Sequence, residues 1–337
     1  MTGQLDVIRD GKLGIIALNR PEAINALSRA MIDGITETLE LWRDDDGVAA
    51  VLFEGRGARG FCAGGDVRAQ RELALAGDFA AADDYFAAEY AMNALISGYP
   101  KPTIALSHGV VMGGGIGIAG HCRYRLTTPD ARFAMPEAAI GFVCDIGVNY
   151  LLAKAPVHRA LLFLMSGVTV GPGDALALGL ADCVYDPSRR ESLLRSVALA
   201  ARSANPDTEL ARLVRAEMVP EGETPFIEAA DAYETADWKR ATDVLRAVDD
   251  ERIGAAIKAG SPTSAVVIFE SHMAARRMTS IGDVLALDLK LASLMCRRSD
   301  FAEGVRAVLV DKDRSPAWNK DDSAAVSEAI ATIIPAA

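Results

Sequence analysis

Two glycine-rich stretches have residue types and positions suited to binding the oxygen of a carbonyl group. Residues 60–66 read GFCAGGD and residues 108–117 read HGVVMGGGIG, and each soon follows an apolar, strand-like run, at 51–53 or 102–106. Glycine costs backbone entropy unless the chain needs it. Bare backbone lets N–H groups approach a ligand closely, and a helix start adds unpaired donors and a favourable dipole. Two such stretches together predict an oxyanion hole, which binds a carbonyl oxygen as it becomes negative.

Other roles for the two stretches are limited by their patterns. Tight turns and close helix packing are common reasons for glycine and stay open as an alternative. A phosphate-binding P-loop is excluded because no Gly-Lys-Ser or Gly-Lys-Thr sequence follows either stretch. A dinucleotide-binding fold is disfavoured because neither stretch reads GxGxxG and no acid ends a following strand at the expected distance.

The elements around these stretches repeat in the order strand, strand, helix. Short runs rich in Val, Ile and Leu predict strands at 5–9, 13–18, 48–53, 102–106, 124–128 and 182–185. Helical periodicity predicts helices at 28–42, 147–154, 158–165 and 174–178, and one more led by the second glycine stretch. The order indicates ββα repeats, with a doubly wound sheet as the alternative.

Helical periodicity dominates from about residue 186 onward, where strand signals fade. It predicts helices at 192–202, 238–248, 264–277 and 281–295. Residues 205–225 hold three prolines and many acids, which predicts a loop or hinge. We therefore divide the chain into a core of ββα repeats with the ligand site at 1–200 and a helical region at 201–337.

Composition and charge exclude several classes of partner. Half of the 337 residues are hydrophobic and 24% are charged, as in ordinary globular proteins. The net charge of −11 argues against nucleic-acid or anionic-membrane partners, which bind dense Lys and Arg surfaces. Five cysteines without a CxxC pair indicate neither a disulfide framework nor a zinc site. With no basic-then-apolar leader and no uninterrupted apolar span, we expect a soluble protein of the cytosol.

Four motifs in combination resemble one superfamily. NRPEAINAL at 19–27, FCAGGD at 61–66, GVVMGGGIG at 109–117 and FAMPEAAIG at 133–141 are similar to the crotonase, or enoyl-CoA hydratase/isomerase, superfamily. Within it, SPTS at 261–264 and DFAEGVRAVLVDKDRSPAW at 300–318 resemble the 3-hydroxyisobutyryl-CoA hydrolases. The resemblance covers nearly the whole chain. It implies an α/β fold, a crotonase-like spiral of ββα repeats followed by a helical C-terminal region.

The resemblance also implies a reaction and a ligand. The expected activity is hydrolysis of an acyl-CoA thioester, with 3-hydroxyisobutyryl-CoA and water giving 3-hydroxyisobutyrate and CoA in valine breakdown. The backbone N–H groups of Gly65 and Gly114 are expected to form the oxyanion hole. The residues expected to contact acyl-CoA are Ala63, Gly64, Asp66, Arg68, Gly113 and Lys312. For the two basic residues, an ordinary solvated surface charge is an open alternative. No metal and no cofactor beyond the CoA of the substrate are expected. A trimer-based homo-oligomer is expected.

Two acids distinguish the reactions that the superfamily performs. Crotonase-type hydratases use two glutamates, and the position of the first is Gly117 here, which has no proton to exchange. Glu137 of the PE motif and Asp145, eight residues later, match the hydrolase subgroup, although Cys144 stands where that subgroup usually has proline. From the residues alone, Glu137 could be an acid at a helix N-terminus and Asp145 a helix cap.

The resemblance implies catalytic roles for this pair of acids. Glu137 would attack the thioester carbonyl or activate water, and Asp145 would bind the substrate hydroxyl or assist water; the sequence does not separate these routes. Two other functions stay open. An enoyl-CoA hydratase or isomerase is one, against which Gly117 counts, and a non-catalytic acyl-CoA-binding subunit is the other.

Overall fold

A computed structural model describes residues 3–217, 222–319 and 323–334, which contain nine strands and sixteen α-helices. The strands are β1 (Leu5–Asp10), β2 (Leu13–Leu18), β3 (Ala50–Gly55), β4 (Gly60–Cys62), β5 (Thr103–Ser107), β6 (Val110–Met112), β7 (Tyr124–Thr127), β8 (Arg132–Ala134) and β9 (Cys183–Val184). The helices are α1 (Arg29–Arg43), α2 (Val67–Ala76), α3 (Phe79–Ser97), α4 (Gly114–Ala119), α5 (Val148–Leu152), α6 (Val157–Ser166), α7 (Pro172–Leu178), α8 (Arg190–Ala201), α9 (Pro206–Glu217), α10 (Pro225–Asp231), α11 (Ala241–Ala247), α12 (Ile253–Ala259), α13 (Pro262–Ala275), α14 (Ile281–Cys296), α15 (Ser299–Val305) and α16 (Ser323–Ile333).

Two sheets organise the strands into a repeated pattern. The larger sheet has the order β1-β2-β3-β5-β7-β9, antiparallel only between β1 and β2, and the smaller has the order β4-β6-β8. Each of β3, β5 and β7 passes into a short strand of the smaller sheet before the next helix. The strand order never reverses, as it would in a doubly wound sheet. The strand, strand, helix repeat is therefore the observed arrangement.

The chain forms two compact units, each assembled from three separated stretches. The first unit comprises Met1–Gly65, Ala91–Phe133 and Val170–Thr224, and the second comprises Asp66–Tyr90, Ala134–Thr169 and Pro225–Ala337. The predicted boundary at residue 200 stays a prediction, because these units interleave along the chain. Among the described residues, no helix combines the length and apolar character needed to cross a membrane.

The core of the first unit explains why its strands read as apolar runs. Leu52 of β3 pairs with Ile104 of β5, and both are buried with Leu126 of β7. Leu193 of α8 and Leu210 of α9 join the same buried cluster. Parallel strands covered by helices are nearly continuous in apolar residues, so this part of the sequence carries a strong signal.

The loop or hinge predicted across residues 205–225 is wrong for α9. The Asn205 side-chain oxygen accepts a hydrogen bond from the Thr208 N–H at 3.3 Å, and Pro206 occupies the first helical position, where a missing N–H costs nothing. Leu210 and Val214 lie one turn apart and are both buried. The first proline therefore marks a helix start. Residues 218–221 of the predicted loop lie outside the described residues.

Candidate active site

The two glycine stretches lie against each other in the first unit. A Cβ added at Gly64 would lie 3.5 Å from the Gly114 nitrogen, and one at Gly115 would lie 2.5 Å from the Cys62 carbonyl oxygen. The second contact is too short for any side chain, so α4 approaches β4 this closely only with glycine at 115. Gly64 has φ of 106°, which L-residues with side chains rarely adopt. A strained turn and close packing therefore explain these two glycines.

Gly65 and Gly114 present backbone donors. Gly114 is the first residue of α4, where an N–H group has no partner within the helix. Gly65 follows the turn at Gly64 and forms an isolated parallel bridge with Leu27. Neither N–H donates to an acceptor among the described residues. Both groups are thus available to an oxygen atom, as an oxyanion hole requires.

Neighbouring residues of the predicted ligand site hold these loops in place. The Ala63 N–H donates to the Ile24 carbonyl at 2.9 Å, and the Gly113 carbonyl accepts from the Ile116 N–H at 2.8 Å. Asp66, the first residue of the second unit, caps α2 by accepting from the Ala69 N–H at 3.4 Å. Their contacts with acyl-CoA stay predictions.

Glu137 and Asp145 lie in a buried acidic cluster of the second unit. Glu137 begins a short 3-10 helix, Glu137–Ile140, and is 7% exposed; Asp145 is 6% exposed. Glu89 of α3 and Asp288 of α14 are buried with them, at 3% and 0% exposure. The charge of Asp145 raises the pKa of each of the other three carboxyls, so all four groups are electrostatic neighbours.

Burial is the main cause of the pKa shifts in this cluster, because the charged form of a carboxyl loses hydration there. Desolvation raises the pKa of Asp145 to about 7 and, together with the charge of Asp145, that of Glu89 to about 8. The same two causes hold the pKa values of Glu137 and Asp288 well above the usual range. A hydrogen bond from the Tyr90 hydroxyl opposes the shift of the Asp145 pKa. The Tyr90 hydroxyl therefore favours the ionised form of Asp145.

The backbone that follows Asp145 is held in an unusual conformation. Ile146 and Gly147 have φ values of 57° and 72°, and the first is costly for a β-branched residue. Asp288 supports this turn, because its Oδ2 accepts a hydrogen bond from the Gly147 N–H at 2.8 Å. Asn149 supports it too, since its side-chain amide donates to the Cys144 carbonyl at 3.1 Å. Residues on two elements thus fix where the Asp145 side chain points.

Cys144, which precedes Asp145 in the chain, contacts the cluster. Its Sγ lies 3.7 Å from Glu137 Oε2 and 3.5 Å from the Leu164 carbonyl oxygen, so the thiol is a weak donor to either. Burial raises the pKa of this thiol well above its usual range. Cys144 therefore stays a neutral donor beside Glu137.

Arg68 and Lys312 both lie in the second unit. Arg68 is exposed on α2 and donates a hydrogen bond to the Leu309 carbonyl, in the π-helical segment Arg306–Val310. Lys312 is exposed just after that segment, with φ of 60°. The structure thus brings Arg68 to the segment that precedes Lys312. Their contact with CoA phosphates stays a prediction.

Sequence reasoning missed Glu89, Tyr90 and Asp288. A signal was available for two of them, because each acid lies on an apolar helical stripe. Glu89 is three residues after Phe86, and Asp288 lies four residues after Val284, both of which are buried. An acid on a buried stripe is expected only where it has a specific role or partner. Among the residues that the structure describes, no group of three or more His, Cys, Asp or Glu side chains has a geometry suited to a metal ion.

The comparisons with known proteins agree with the arrangement described above. The family model described as Enoyl-CoA hydratase/isomerase matches residues 13–333. The chain belongs to the enoyl-CoA hydratase/isomerase family. The predicted fold class, a crotonase-like spiral of ββα repeats followed by a helical C-terminal region, is confirmed by this match and by solved structures of family members.

The similar proteins are named as hydrolases in one case and as a dehydratase or a hydratase in the other. The chain is 34% identical to the 3-hydroxyisobutyryl-CoA hydrolase, mitochondrial, of Danio rerio over 94% of this chain and 85% of the relative. It is 31% identical to the Homo sapiens protein of the same name over 95% and 85%. Among solved structures, a carnitinyl-CoA dehydratase from Mycobacterium thermoresistibile has 34% identity and a TM-score of 0.87 over 99% of this chain and 96% of its own. An enoyl-CoA hydratase from Rhodobacter sphaeroides 2.4.1 has 32% identity and a TM-score of 0.86 over 98% and 97%.

The buried acids predict that the free energy of unfolding falls as pH rises. Glu89 has an ordinary pKa of 4.5 and a folded-state pKa of about 8, so the folded protein binds a proton that the unfolded chain has lost. Its contribution is fully present below the unfolded pKa and is lost as pH rises through the folded pKa, at about 1.4 kcal/mol per pH unit. Urea unfolding at intervals between pH 5 and 8 measures this slope. Glu89→Gln is expected to reduce it, while Glu72→Gln, at an exposed glutamate of α2, keeps it. An unchanged slope in Glu89→Gln contradicts the assignment.

Deleting one donor of the oxyanion hole is expected to slow turnover without unfolding the protein. The N–H at the first position of a helix has no partner within the helix, so Gly114→Pro removes the donor and leaves the backbone hydrogen bonds of α4 in place. We expect kcat to fall by roughly a hundredfold or more, as for loss of one such hydrogen bond. Steady-state kinetics on an acyl-CoA thioester, with circular dichroism as the check of folding, measure the effect. Near-normal turnover in a folded variant rules out the role of Gly114.

Proposed function

We propose that this member of the enoyl-CoA hydratase/isomerase family is an acyl-CoA thioester hydrolase whose substrate is 3-hydroxyisobutyryl-CoA. The observation that carries the proposal is the pair of acids. Glu137 and Asp145 are buried in one cluster, whereas Gly117, at the position of the first hydratase glutamate, is a residue of α4 without a side chain. The relatives named 3-hydroxyisobutyryl-CoA hydrolase support the same substrate and a place in valine breakdown.

The proposed chemistry begins with polarisation of the thioester carbonyl. The N–H groups of Gly65 and Gly114 bind its oxygen and stabilise the negative charge that develops there. In one route a Glu137 oxygen attacks the carbonyl carbon, the C–S bond breaks, and water then hydrolyses the mixed anhydride. In the other route Glu137 takes a proton from water, and the resulting hydroxide attacks the same carbon. Both routes release CoA as the free thiol.

Either route needs an ionised Glu137, which the charge of Asp145 opposes. A hydroxyl group on the substrate that donates a hydrogen bond to Asp145 would offset that charge. Binding of a β-hydroxyacyl group would then ease the ionisation of Glu137. This argument favours Asp145 as the group that binds the substrate hydroxyl, and it predicts a preference for 3-hydroxyacyl chains over unsubstituted ones.

Two alternatives are kept, and a specific observation favours the first of them. The solved structures at 34% and 32% identity are named as a dehydratase and a hydratase, which supports enoyl-CoA chemistry. Gly117 counts against it, because no side chain there exchanges a proton. A non-catalytic acyl-CoA-binding subunit is the second alternative. The cytosolic location, the trimer-based assembly and the lack of any cofactor beyond the CoA of the substrate stay predictions.

One pair of assays separates these three functions. We expect rapid release of free CoA thiol from 3-hydroxyisobutyryl-CoA, followed with a thiol reagent, and slow or undetectable loss of absorbance with crotonyl-CoA. Robust hydration of crotonyl-CoA would establish the hydratase instead. Binding of acyl-CoA without either reaction would identify the non-catalytic subunit.

Substitution of the two acids is expected to affect different steps. Glu137→Gln keeps the size of the side chain but removes the nucleophile or base, so kcat collapses while acyl-CoA still binds. Glu228→Gln, at an exposed glutamate of α10, is the matched control and keeps full activity. Asp145→Asn is expected to slow hydrolysis of 3-hydroxyacyl-CoA more than that of the matching acyl-CoA without the hydroxyl. Equal losses on both substrates assign Asp145 to water or Glu137, and full activity in Glu137→Gln removes the mechanism.

A further inference from the structure

The Tyr90 hydroxyl makes a short hydrogen bond with one of the two proposed catalytic acids. Tyr90 lies on α3, is 3% exposed, and donates to Asp145 Oδ2 at 2.5 Å across 55 residues of chain. Hydroxyl-to-carboxylate bonds of 2.5–2.7 Å are typical of charge-assisted pairs and are about twice as strong as neutral ones. A buried donor of this kind selects one orientation of the carboxyl and favours its ionised form.

The other titratable groups that face Asp145 are acids or weak donors. Glu89 comes from the same helix as Tyr90, Glu137 from the 3-10 helix, and Asp288 from α14. Cys144 precedes Asp145 in the chain and is a neutral thiol. None of these four groups stabilises a negative charge on Asp145. Apart from its own backbone N–H, the Tyr90 hydroxyl is the group on the described residues that favours the ionised Asp145.

The ring that carries this hydroxyl is itself fixed by packing. Tyr90 stacks on Phe86 with ring centroids 6.2 Å apart, and Phe86 stacks on Phe142 at 5.2 Å. Phe142 also contacts Phe301 of α15 at 5.2 Å. Phe142 lies between Glu137 and Asp145 in the chain. The aromatic stack therefore connects α3 directly to the segment that holds both acids, so the hydroxyl and its acceptor keep a constant separation.

We propose that Tyr90 is a positioning residue for thioester hydrolysis: its hydroxyl holds the Asp145 carboxyl in one orientation and keeps the negative charge of the acidic cluster on that group. The inference rests on the proposed function, because the role has meaning only if Asp145 takes part in the reaction. It adds a residue that lies 47 positions before Glu137 and outside all the motifs that indicated the site. An oxygen of the ionised Asp145 carboxylate then accepts a hydrogen bond from the substrate hydroxyl.

Tyr90→Phe tests the proposal, since it removes the donor and keeps the ring. The proposed reaction needs Glu137 and Asp145 both ionised, so the acid limb of kcat/KM reports both groups. Loss of a hydrogen bond that favours ionised Asp145 raises the pKa of that group, and the limb moves to higher pH by up to about one unit. We expect kcat at neutral pH to fall by about tenfold and KM to stay within about twofold. Tyr99→Phe is the matched control, because the Tyr99 hydroxyl is also buried and donates to the Leu39 carbonyl at 2.7 Å. It is expected to lower the melting temperature and leave the pH profile unchanged.

A direct titration checks the same point without turnover. Protein labelled with ¹³C at the aspartate carboxyls, with Asp145→Asn used to assign the resonance, reports the Asp145 titration by NMR. We expect the midpoint to rise by about one pH unit in Tyr90→Phe and to stay constant in Tyr99→Phe. Incorporation of 3-fluorotyrosine at position 90 makes the hydroxyl a stronger donor and is expected to move the midpoint and the acid limb the other way. This variant also tests the role of the Tyr90 hydroxyl if Tyr90→Phe does not fold.

The outcomes separate the two proposals. If the wild-type protein releases thiol but neither position-90 variant moves the pH profile or the Asp145 titration, the role of Tyr90 is refuted and the proposed function stands. A Tyr90→Phe variant that loses stability alone, as Tyr99→Phe does, has the same meaning. If the wild-type protein hydrolyses no thioester, the proposed function fails and the role of Tyr90 fails with it.

Discussion

Burying four carboxyl groups beside one another costs free energy, because each charged form loses its hydration and repels the others. In the acidic cluster of Glu89, Glu137, Asp145 and Asp288, burial raises the pKa of every carboxyl, so the protonated forms are favoured. Such an arrangement destabilises the fold at high pH. Groups with perturbed pKa values in a buried cluster are a frequent mark of a catalytic site, where the cost is offset by function.

The cluster also gives the two acids different electrostatic surroundings. A carboxyl whose pKa is raised to about 7 gains or loses a proton near neutral pH. The ionisation of Asp145 is therefore sensitive to a hydrogen-bond donor that binds beside it. Burial and the charge of Asp145 hold the pKa of Glu137 well above its usual range, so the ionisation of Glu137 depends on how much of that charge is offset. Asp288 contributes by holding the backbone at Gly147, so it is both an electrostatic neighbour and a support of the turn. An apolar residue in place of Asp288 would leave the Gly147 N–H without this acceptor.

The fold alone does not choose the reaction, since one fold supports several chemistries through different side chains at the site. The relatives illustrate this, because proteins named as a hydrolase, a dehydratase and a hydratase share 31–34% identity with the chain. In this chain, a turn at Gly64 and a helix start at Gly114 present backbone N–H groups. The side chains placed next to such donors decide whether water adds to a double bond or to a thioester carbon.

Much of the fold was readable from the sequence because the parallel strands are buried and therefore apolar throughout. β1, β2, β5 and β7 fall within one residue of the predicted bounds at each end. The three-residue strands β4, β6 and β8 were missed individually, since a run that short has no periodicity to detect. α9 was taken for a loop because its single proline, Pro206, was counted as a breaker together with the two later prolines of residues 205–225, although Pro206 stands where a helix accepts proline.

The sequence by itself determined the family, the two glycine stretches and the pair Glu137 and Asp145, because these depend on residue types at short spacings. Only the tertiary structure brought Tyr90 and Asp288 to Asp145, from 55 and 143 residues away along the chain. The charge state of a carboxyl depends on burial and on the groups around it, and both are set by packing between distant segments. A sequence names the acids of such a site, whereas the folded chain decides which of them is ionised.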